Sequence, residues 1–141
     1  MRVGFTGTRE GMTPNQRSQF WSWLGRQGMT EFHHGCCIGA DVQAATLAFV
    51  TDPLPRVIGH PGDTPHHTSR EAREVNHETL FRRHNLDRNK DIVNATDVLA
   101  VCPKGPEELR SGTWSTVRYA RKTGKPVVIF WPDGTVTEEG K

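Results

Sequence analysis

Four short stretches of this 141-residue chain combine glycine with hydroxyl or charged side chains and adjoin apolar runs. In one of them, RSGT, Ser111, Gly112 and Thr113 directly precede a helix-forming run that ends in basic residues. The first N–H groups of a helix lack intrahelical acceptors and carry about half a positive charge, so a helix N-terminus binds anions. The sequence therefore predicts a phosphate-type anion at residues 111–113.

Two further stretches supply groups that suit a phosphate. In TGTR, Gly7 allows the backbone to approach a ligand, and Thr8 and Arg9 can donate hydrogen bonds. In RNKD, Arg88 carries a planar guanidinium that can donate two hydrogen bonds to phosphate oxygens at once. A glycine turn is often only a turn, and Arg88 is as often a surface ion pair, so the interpretation depends on these stretches meeting at one place.

The fourth stretch, HGCCIGAD, is predicted to lie on the ribose or base side of the ligand. Gly35 and Gly39 bracket its turn, and Asp41 falls in the first turn of the following helix. An acidic residue there could accept hydrogen bonds from ribose hydroxyls, but it is equally a favourable charge at the start of a helix. The sequence leaves both interpretations of Asp41 open.

These stretches can meet because strand-like apolar runs alternate with helical patterns. The predicted strands cover residues 3–7, 31–35, 56–60, 97–102 and 126–131, and the predicted helices cover 13–28, 40–50, 85–95 and 112–124. Runs such as VLAVC and VVIF are typical of parallel strands covered on both faces. We therefore expect an α/β fold, a single Rossmann-like three-layer domain over residues 1–141, with a mainly parallel sheet of at least five strands. Right-handed crossovers would gather the strand-to-helix loops at one edge of this sheet.

Two segments fall outside this alternation. Residues 61–83 combine turn formers, histidines and dense charge, and they are predicted to form a partly ordered excursion from the sheet. Residues 132–141 offer a Pro-Asp-Gly turn and a short edge strand, and are otherwise expected to be a polar tail.

Composition narrows the function classes. The formal net charge is only +2 and the chain has a single tyrosine, which argues against a nucleic-acid coat or a base-stacking groove. No apolar run approaches the roughly 20 residues that cross a bilayer, so we expect a cytoplasmic protein with no membrane partner. The three cysteines, two of them adjacent, fit free thiols, and adjacent histidines in a strand point to opposite faces. No metal site and no cofactor are expected.

The order of the motifs GFTGTR, HHGCCIGAD, RNKDIVNATDVLAV and RSGTWSTVRYARKTGKPV resembles the SLOG superfamily of Rossmann-like nucleotide-binding domains. That superfamily includes the Lonely-guy (LOG) phosphoribohydrolases, the DNA-processing protein DprA and small YspA-like proteins of bacteria and phages. The resemblance covers most of the chain except residues 61–83 and the tail, and it is greatest to the YspA-like proteins. It implies a bacterial or phage protein that binds a nucleotide through the four stretches and that forms a homo-oligomer.

The LOG enzymes bind phosphate on a glycine-rich loop that also supplies a catalytic glutamate, and an arginine on the preceding helix works with it. By resemblance, Arg88 matches that arginine, and Gly112 and Thr113 match the loop. The position of the glutamate falls on Thr116, and a hydroxyl cannot replace a carboxylate as an acid or base. Two carboxylates just upstream remain as catalytic candidates beside Arg88, namely Glu107 and Glu108.

These observations predict a domain that binds a nucleotide or a nucleotide-derived ligand, to sense or sequester a signalling nucleotide. One alternative is an enzyme, a nucleoside 5′-monophosphate N-glycosidase of the LOG type. A second alternative is a DprA-like binder of single-stranded nucleic acid. Self-association is expected because Phe20, Trp21, Trp23 and Phe81 provide more aromatic surface than one small core needs.

Overall fold

The computed structural model describes residues 1–140 and contains one seven-stranded sheet with helices on both faces. The strands are β1 Arg2–Gly7, β2 Glu31–His34, β3 Arg56–Gly59, β4 Glu78–Thr79, β5 Val98–Cys102, β6 Val127–Phe130 and β7 Val136–Glu139. The helices are α1 Pro14–Leu24, α2 Ala40–Phe49, α3 Arg70–Glu74, α4 Asn85–Asn94 and α5 Gly112–Lys122, with a short 3₁₀ turn at Pro65–His67. The strand order is β4-β3-β2-β1-β5-β6-β7. All neighbouring strands are parallel except β6 and β7, so the predicted α/β, Rossmann-like, mainly parallel fold is confirmed.

Helix α1 begins at a reciprocal capping arrangement. The Thr13 hydroxyl accepts a hydrogen bond from the Gln16 N–H, and the Gln16 side chain accepts one from the Thr13 N–H, each at 3.1 Å. Pro14 at the first helical position needs no acceptor for an N–H. The helix ends at Leu24, four residues before the end that the pattern predicts, because Gly25 and Gly28 disfavour continued helix.

Apolar layers on the two faces of the sheet hold the helices. On one face, Phe5, Phe32 and Phe130 of the sheet pack with α1 and α2, and all three are fully buried. On the other face, Leu99 and Ile129 of the sheet pack with α4 and α5. Because both faces are covered, β5 and β6 are apolar at every position, as their sequences indicate.

The excursion and the tail both extend the sheet. Within residues 61–83, β4 pairs with β3 at one edge, and α3 packs against α2. At the other edge, β7 pairs antiparallel with β6. Part of the tail is therefore an edge strand, as the sequence predicts. Lys141, the last residue of the predicted tail, lies outside the described residues.

The aromatic residues behind the predicted self-association are only partly at the surface. Phe20 and Trp23 lie in the core, with 0% and 6% of their surface exposed, because α1 turns that face towards the sheet. Trp21 and Phe81 are exposed. The homo-oligomer therefore stays a prediction that rests on two aromatic side chains rather than four. Within residues 1–140, the helices are too short and too polar for any of them to span a membrane.

Candidate functional site

A cleft of about 610 Å³ opens where the chain order of the strands reverses, between β1 and β5. Such a reversal in an open parallel sheet is where ligands bind, and the volume lies within the range of about 300–1,000 Å³ that small-molecule sites occupy. The loops after β1, β2 and β5 and the first turns of α4 and α5 line it. Most of the predicted site residues are brought together here: Gly7, Thr8, Arg9, Gly35, Asp41, Arg88, Glu108, Ser111, Gly112 and Thr113. Gly39 and Glu107 do not line the cleft.

The N-terminus of α5 forms one wall of the cleft and has free donors. The Ser111 hydroxyl caps the helix by accepting a hydrogen bond from the Trp114 N–H at 3.2 Å, and the Ser111 carbonyl accepts one from the Ser115 N–H at 2.8 Å. Within residues 1–140, the N–H groups of Gly112 and Thr113 donate to no acceptor. A Cβ added at Gly112 would meet no atom within 4 Å. The two N–H groups therefore open onto space that an anion can fill.

Three exposed cationic side chains line the same cleft. Arg9 contacts the ring of His67 from the 3₁₀ turn, which ties the loop after β1 to the excursion. Lys104 and Arg110 are exposed and have no ion pair or hydrogen bond to any described residue. Sequence reasoning missed Lys104 and Arg110, although each lies two residues from the end of a predicted element and could have been found on that ground.

Arg88 is buried at the floor of the cleft and holds two loops together. Its Nη1 donates to the carbonyl of Gly35 at 2.6 Å and to the carbonyl of His60 at 3.1 Å, and its Nε donates to the Asn89 side chain at 2.7 Å. Only 7% of its surface is exposed. Arg88 thus joins the ends of β2 and β3 to α4, and any contact with a phosphate would fall to Nη2.

Asp41 faces the same floor and fixes the loop after β2. Its Oδ2 accepts hydrogen bonds from the Gly35 N–H at 2.9 Å and from the Cys37 N–H at 3.3 Å. Burial raises the pKa of Asp41 to about 6, although the charge of Arg88 and these two hydrogen bonds oppose the rise. Asp41 lies in the first turn of α2, its carboxyl holds the loop after β2, and the same carboxyl lies in the wall of the cleft. Both interpretations of Asp41 therefore stay open.

Gly39 and Gly7 serve close backbone packing. Gly39 has φ of +83°, and a Cβ there would lie 2.3 Å from the carbonyl oxygen of Arg9. A Cβ at Gly7 would lie 2.6 Å from the Cβ of Ala40. Both glycines let the loop after β1 lie directly against the start of α2, which is a tertiary contact that the turn pattern alone does not show.

The carboxylate candidates differ in position. Glu107 pairs with Arg118 at 3.1 Å and with Arg121 at 2.9 Å, outside the cleft. Glu108 lines the cleft and is exposed. Thr116 is 2% exposed and donates its hydroxyl hydrogen bond to the Gly112 carbonyl at 2.9 Å, within α5. The position that the LOG resemblance assigns to a glutamate is a buried helical threonine.

Two buried histidines lie next to the floor of the cleft. The Nδ1 of His34 accepts a hydrogen bond from the Cys36 N–H at 3.1 Å, and its Nε2 lies 2.5 Å from the Asn76 carbonyl oxygen, so the ring is neutral with the proton on Nε2. The ring nitrogens of His60 and His33 lie 2.7 Å apart. Burial lowers the pKa of His34 to about 4 and that of His60 to about 3.

We expect stability to fall as the pH drops from 6.5 to about 4.5. The folded pKa values of His34 and His60 lie below the ordinary value of 6.5, so their stabilising effect is present above pH 6.5 and is lost as the pH falls towards 4 and 3. The raised pKa of Asp41 acts in the opposite sense below pH 6 and offsets part of the loss. At about 1.4 kcal/mol per pKa unit, the net loss in the free energy of unfolding is on the order of 2–3 kcal/mol.

Urea unfolding measured across this pH range tests the expectation. His34→Gln should flatten the decline, whereas His66→Gln, which alters an exposed histidine, should leave it unchanged. A parent protein whose free energy of unfolding is constant between pH 6.5 and 4.5 would refute the assignment of these rings as buried and neutral.

The cysteines and the potential metal ligands are candidates for further parts of the site. Cys36, Cys37 and Cys102 are free, and burial raises the pKa of Cys36 to about 11 and that of Cys37 to about 12, so neither thiol is activated. Among residues 1–140, no three histidine, cysteine, aspartate or glutamate side chains are placed to hold a metal ion.

Comparison with known proteins bears on the fold. No family model matches the chain, and no curated protein matches it. Among solved structures, the molybdenum cofactor binding protein from the phototrophic bacterium Rippkaea orientalis is similar, with a TM-score of 0.68 and 24% identity over 92% of this chain and 76% of that one. The X-ray structure of TM1055, a structural genomics target, has a TM-score of 0.62 and 18% identity over 89% of this chain and 71% of that one. At these identities the similarity establishes the shared Rossmann-like fold.

Proposed function

We propose that the chain binds a nucleotide or a nucleotide-derived ligand in the cleft between β1 and β5, with the phosphate on the N-terminus of α5. One observation carries the proposal: the free N–H groups of Gly112 and Thr113 open into the cleft beside the exposed, unpaired cations Lys104 and Arg110. Helix N–H donors with nearby cations are a recurrent phosphate site.

Different residues of the cleft would contact the phosphate and the ribose or base of the ligand. Thr8 and Arg9 would close over the phosphate from the β1 side, with Nη2 of Arg88 as a further charge partner from the floor of the cleft. Gly35 and Asp41 would lie on the ribose or base side. We assign the chain to the SLOG superfamily on its motif order and its Rossmann-like fold, and this assignment remains part of the proposal. The sensing or sequestering of a signalling nucleotide follows from binding without an evident catalytic carboxylate on α5.

The test is native mass spectrometry of protein purified without denaturation, followed by identification of any released small molecule. We expect a phosphorylated, nucleotide-like mass, and its loss in a Gly112→Asp variant. Because a structural neighbour is described as a molybdenum cofactor binding protein, the same sample should be analysed for molybdenum. A copurified molecule that lacks phosphate, or one retained by Gly112→Asp, would refute the proposal.

One observation favours a second candidate, an N-glycosidase acting on nucleoside 5′-monophosphates. Burial raises the pKa of Asp41 to about 6, and a carboxyl group with a pKa near the working pH suits a general acid. Asp41 and Glu108 both line the cleft. Incubation with a panel of nucleoside 5′-monophosphates and chromatography for free base decides between the two functions, since a pure binding domain releases none.

Three sequence-based expectations remain predictions beside this proposal. They are the cytoplasmic location, the homo-oligomer and the absence of a nucleic-acid partner. Sedimentation at micromolar concentration tests the second, and a monomer there would contradict it.

A further inference from the structure

A second cleft, of about 680 Å³, is formed by residues 61–82 of the excursion and adjoins the first. The two clefts have no lining residue in common. Helix α3 and the stretch after β4 form its walls, and these residues line it: Pro61, Gly62, Pro65, Thr68, Arg70, Arg73, Thr79, Leu80, Phe81 and Arg82. Apart from Phe81, which is one of the residues behind the predicted self-association, neither the sequence motifs nor the comparisons assign a role to this region.

Three exposed arginines face this cleft without a carboxylate among its lining residues. Arg70 and Arg73 are three positions apart on α3, a spacing that places both on one side of the helix. Within residues 1–140, no acidic group lies within 4 Å of a guanidinium nitrogen of Arg70, Arg73 or Arg82.

Neighbouring arginines outside the cleft are neutralised instead. Arg56 pairs with Glu78 at 2.9 Å, and Arg83 pairs with Asp91 at 2.7 Å. Arginines around the cleft are therefore held in ion pairs, whereas those that line it form none within residues 1–140. The carboxylate of Glu71, on the same helix, interacts electrostatically with Arg70 without pairing with it. Unpaired arginines gathered at one concave surface are the arrangement that binds a multiply charged anion, because each planar guanidinium can donate two parallel hydrogen bonds to phosphate oxygens.

An aromatic ring completes the cleft. Phe81 has 97% of its surface exposed and lies between Leu80 and Arg82, which also line the cleft. A phenylalanine so exposed gains nothing from the core of this chain. A planar base or another aromatic group can stack on such a ring, and an arginine beside it can contact the face of the same group.

We propose that this second cleft binds a nucleoside polyphosphate, with the phosphate chain on Arg70, Arg73 and Arg82 and the base on Phe81. The three positive charges match the several negative charges of a di- or triphosphate. The prolines at residues 61 and 65 restrict the backbone on one side of the cleft and limit the conformational cost of binding.

Calorimetric titration in a Gly112→Asp background tests the second cleft, because that change is expected to prevent binding in the first, and the substitutions in the second cleft locate any binding that remains. The probes are adenosine triphosphate, inorganic tripolyphosphate, adenosine and a short single-stranded oligonucleotide. We expect saturable binding of adenosine triphosphate, weakened about tenfold by Arg70→Ala or by Arg82→Ala. Phe81→Ala should lower the affinity for adenosine triphosphate about tenfold. The affinity for tripolyphosphate should change by less than about twofold, because tripolyphosphate has no base to stack.

The matched control is Arg17→Ala, which removes the same charge from an exposed, unpaired arginine on α1 and should change the affinity by less than about twofold. Thermal melts confirm that each variant is folded. No binding of adenosine triphosphate in the Gly112→Asp background would overturn the proposal, and so would binding that Arg17→Ala weakens as much as Arg82→Ala does. Binding of the oligonucleotide through these arginines without binding of the free nucleotide would also overturn it, in favour of a nucleic-acid surface. Each of these outcomes is independent of whether the first cleft binds its own ligand.

Discussion

Gly112→Asp is expected to weaken nucleotide binding in the first cleft about a thousandfold. The new carboxylate would lie where the phosphate meets the free N–H groups of α5, and two unit charges about 4 Å apart repel by roughly 4 kcal/mol at an effective dielectric constant of about 20. The fold should be retained, because a Cβ at this position meets no atom within 4 Å and an acidic residue in the first turn favours a helix. Calorimetric titration with the copurified ligand, alongside thermal melts, measures both effects.

Gly112→Asn is the matched control for this change. Asparagine has nearly the shape of aspartate but no charge, so the affinity should fall much less than in Gly112→Asp. Equal losses in the two variants would indicate that bulk rather than charge excludes the ligand. A folded Gly112→Asp variant that binds as tightly as the parent would show that the turn at residues 111–113 only caps its helix.

Arg88→Ala is expected to reduce the free energy of unfolding by about 3 to 5 kcal/mol, since it removes charged hydrogen bonds and leaves buried carbonyl groups unpaired. The His60 carbonyl would lose its donor, and the Gly35 carbonyl would keep only the weak one of the Cys37 thiol. Asp41 would lose the positive charge that opposes its raised pKa. This change should therefore act on stability before it acts on affinity. Denaturant unfolding measures the first effect, and titration of the folded fraction measures the second.

Arg88→Lys separates the contribution of the positive charge to stability from that of the guanidinium hydrogen bonds. An ammonium group keeps the charge but lacks the planar set of donors that reaches two loops. We expect an intermediate loss of stability. Arg17→Ala serves as the exposed control and should change the free energy of unfolding by less than about 0.5 kcal/mol. An Arg88→Ala protein as stable as the parent would mean that the contacts at the floor of the cleft do not support the fold.

The order of strands and helices could be predicted because its signals are local. Continuous apolar runs mark β5 and β6, and Thr13, Pro14 and Gln16 mark the start of α1. Strand β4 could not be predicted, since it has only two residues, Glu78 and Thr79, and owes its conformation to pairing with β3. Its sequence contains no apolar alternation.

The candidate site could likewise be predicted where its signals are local and not where they depend on tertiary contacts. The N-terminus of α5 and the loop after β1 follow from local turn residues and strand order. The burial of Arg88 does not, because Gly35 and His60 are distant in sequence and only the folded chain brings their carbonyls to the guanidinium. Arg88 and Asp41 thus combine the position that the motifs predict with a structural role that the motifs do not reveal.

The amide resonances of Gly112 and Thr113 provide the most direct test of phosphate binding at α5. In a nuclear magnetic resonance titration with a panel of nucleoside 5′-phosphates, we predict large, saturable shifts at these two amides for the ligand that binds, and no such shifts with the matching free nucleoside. If a nucleotide binds to the protein while the Gly112 and Thr113 amides stay unperturbed, or if no member of the panel shifts them, the phosphate is not held at this helix and the central claim is wrong.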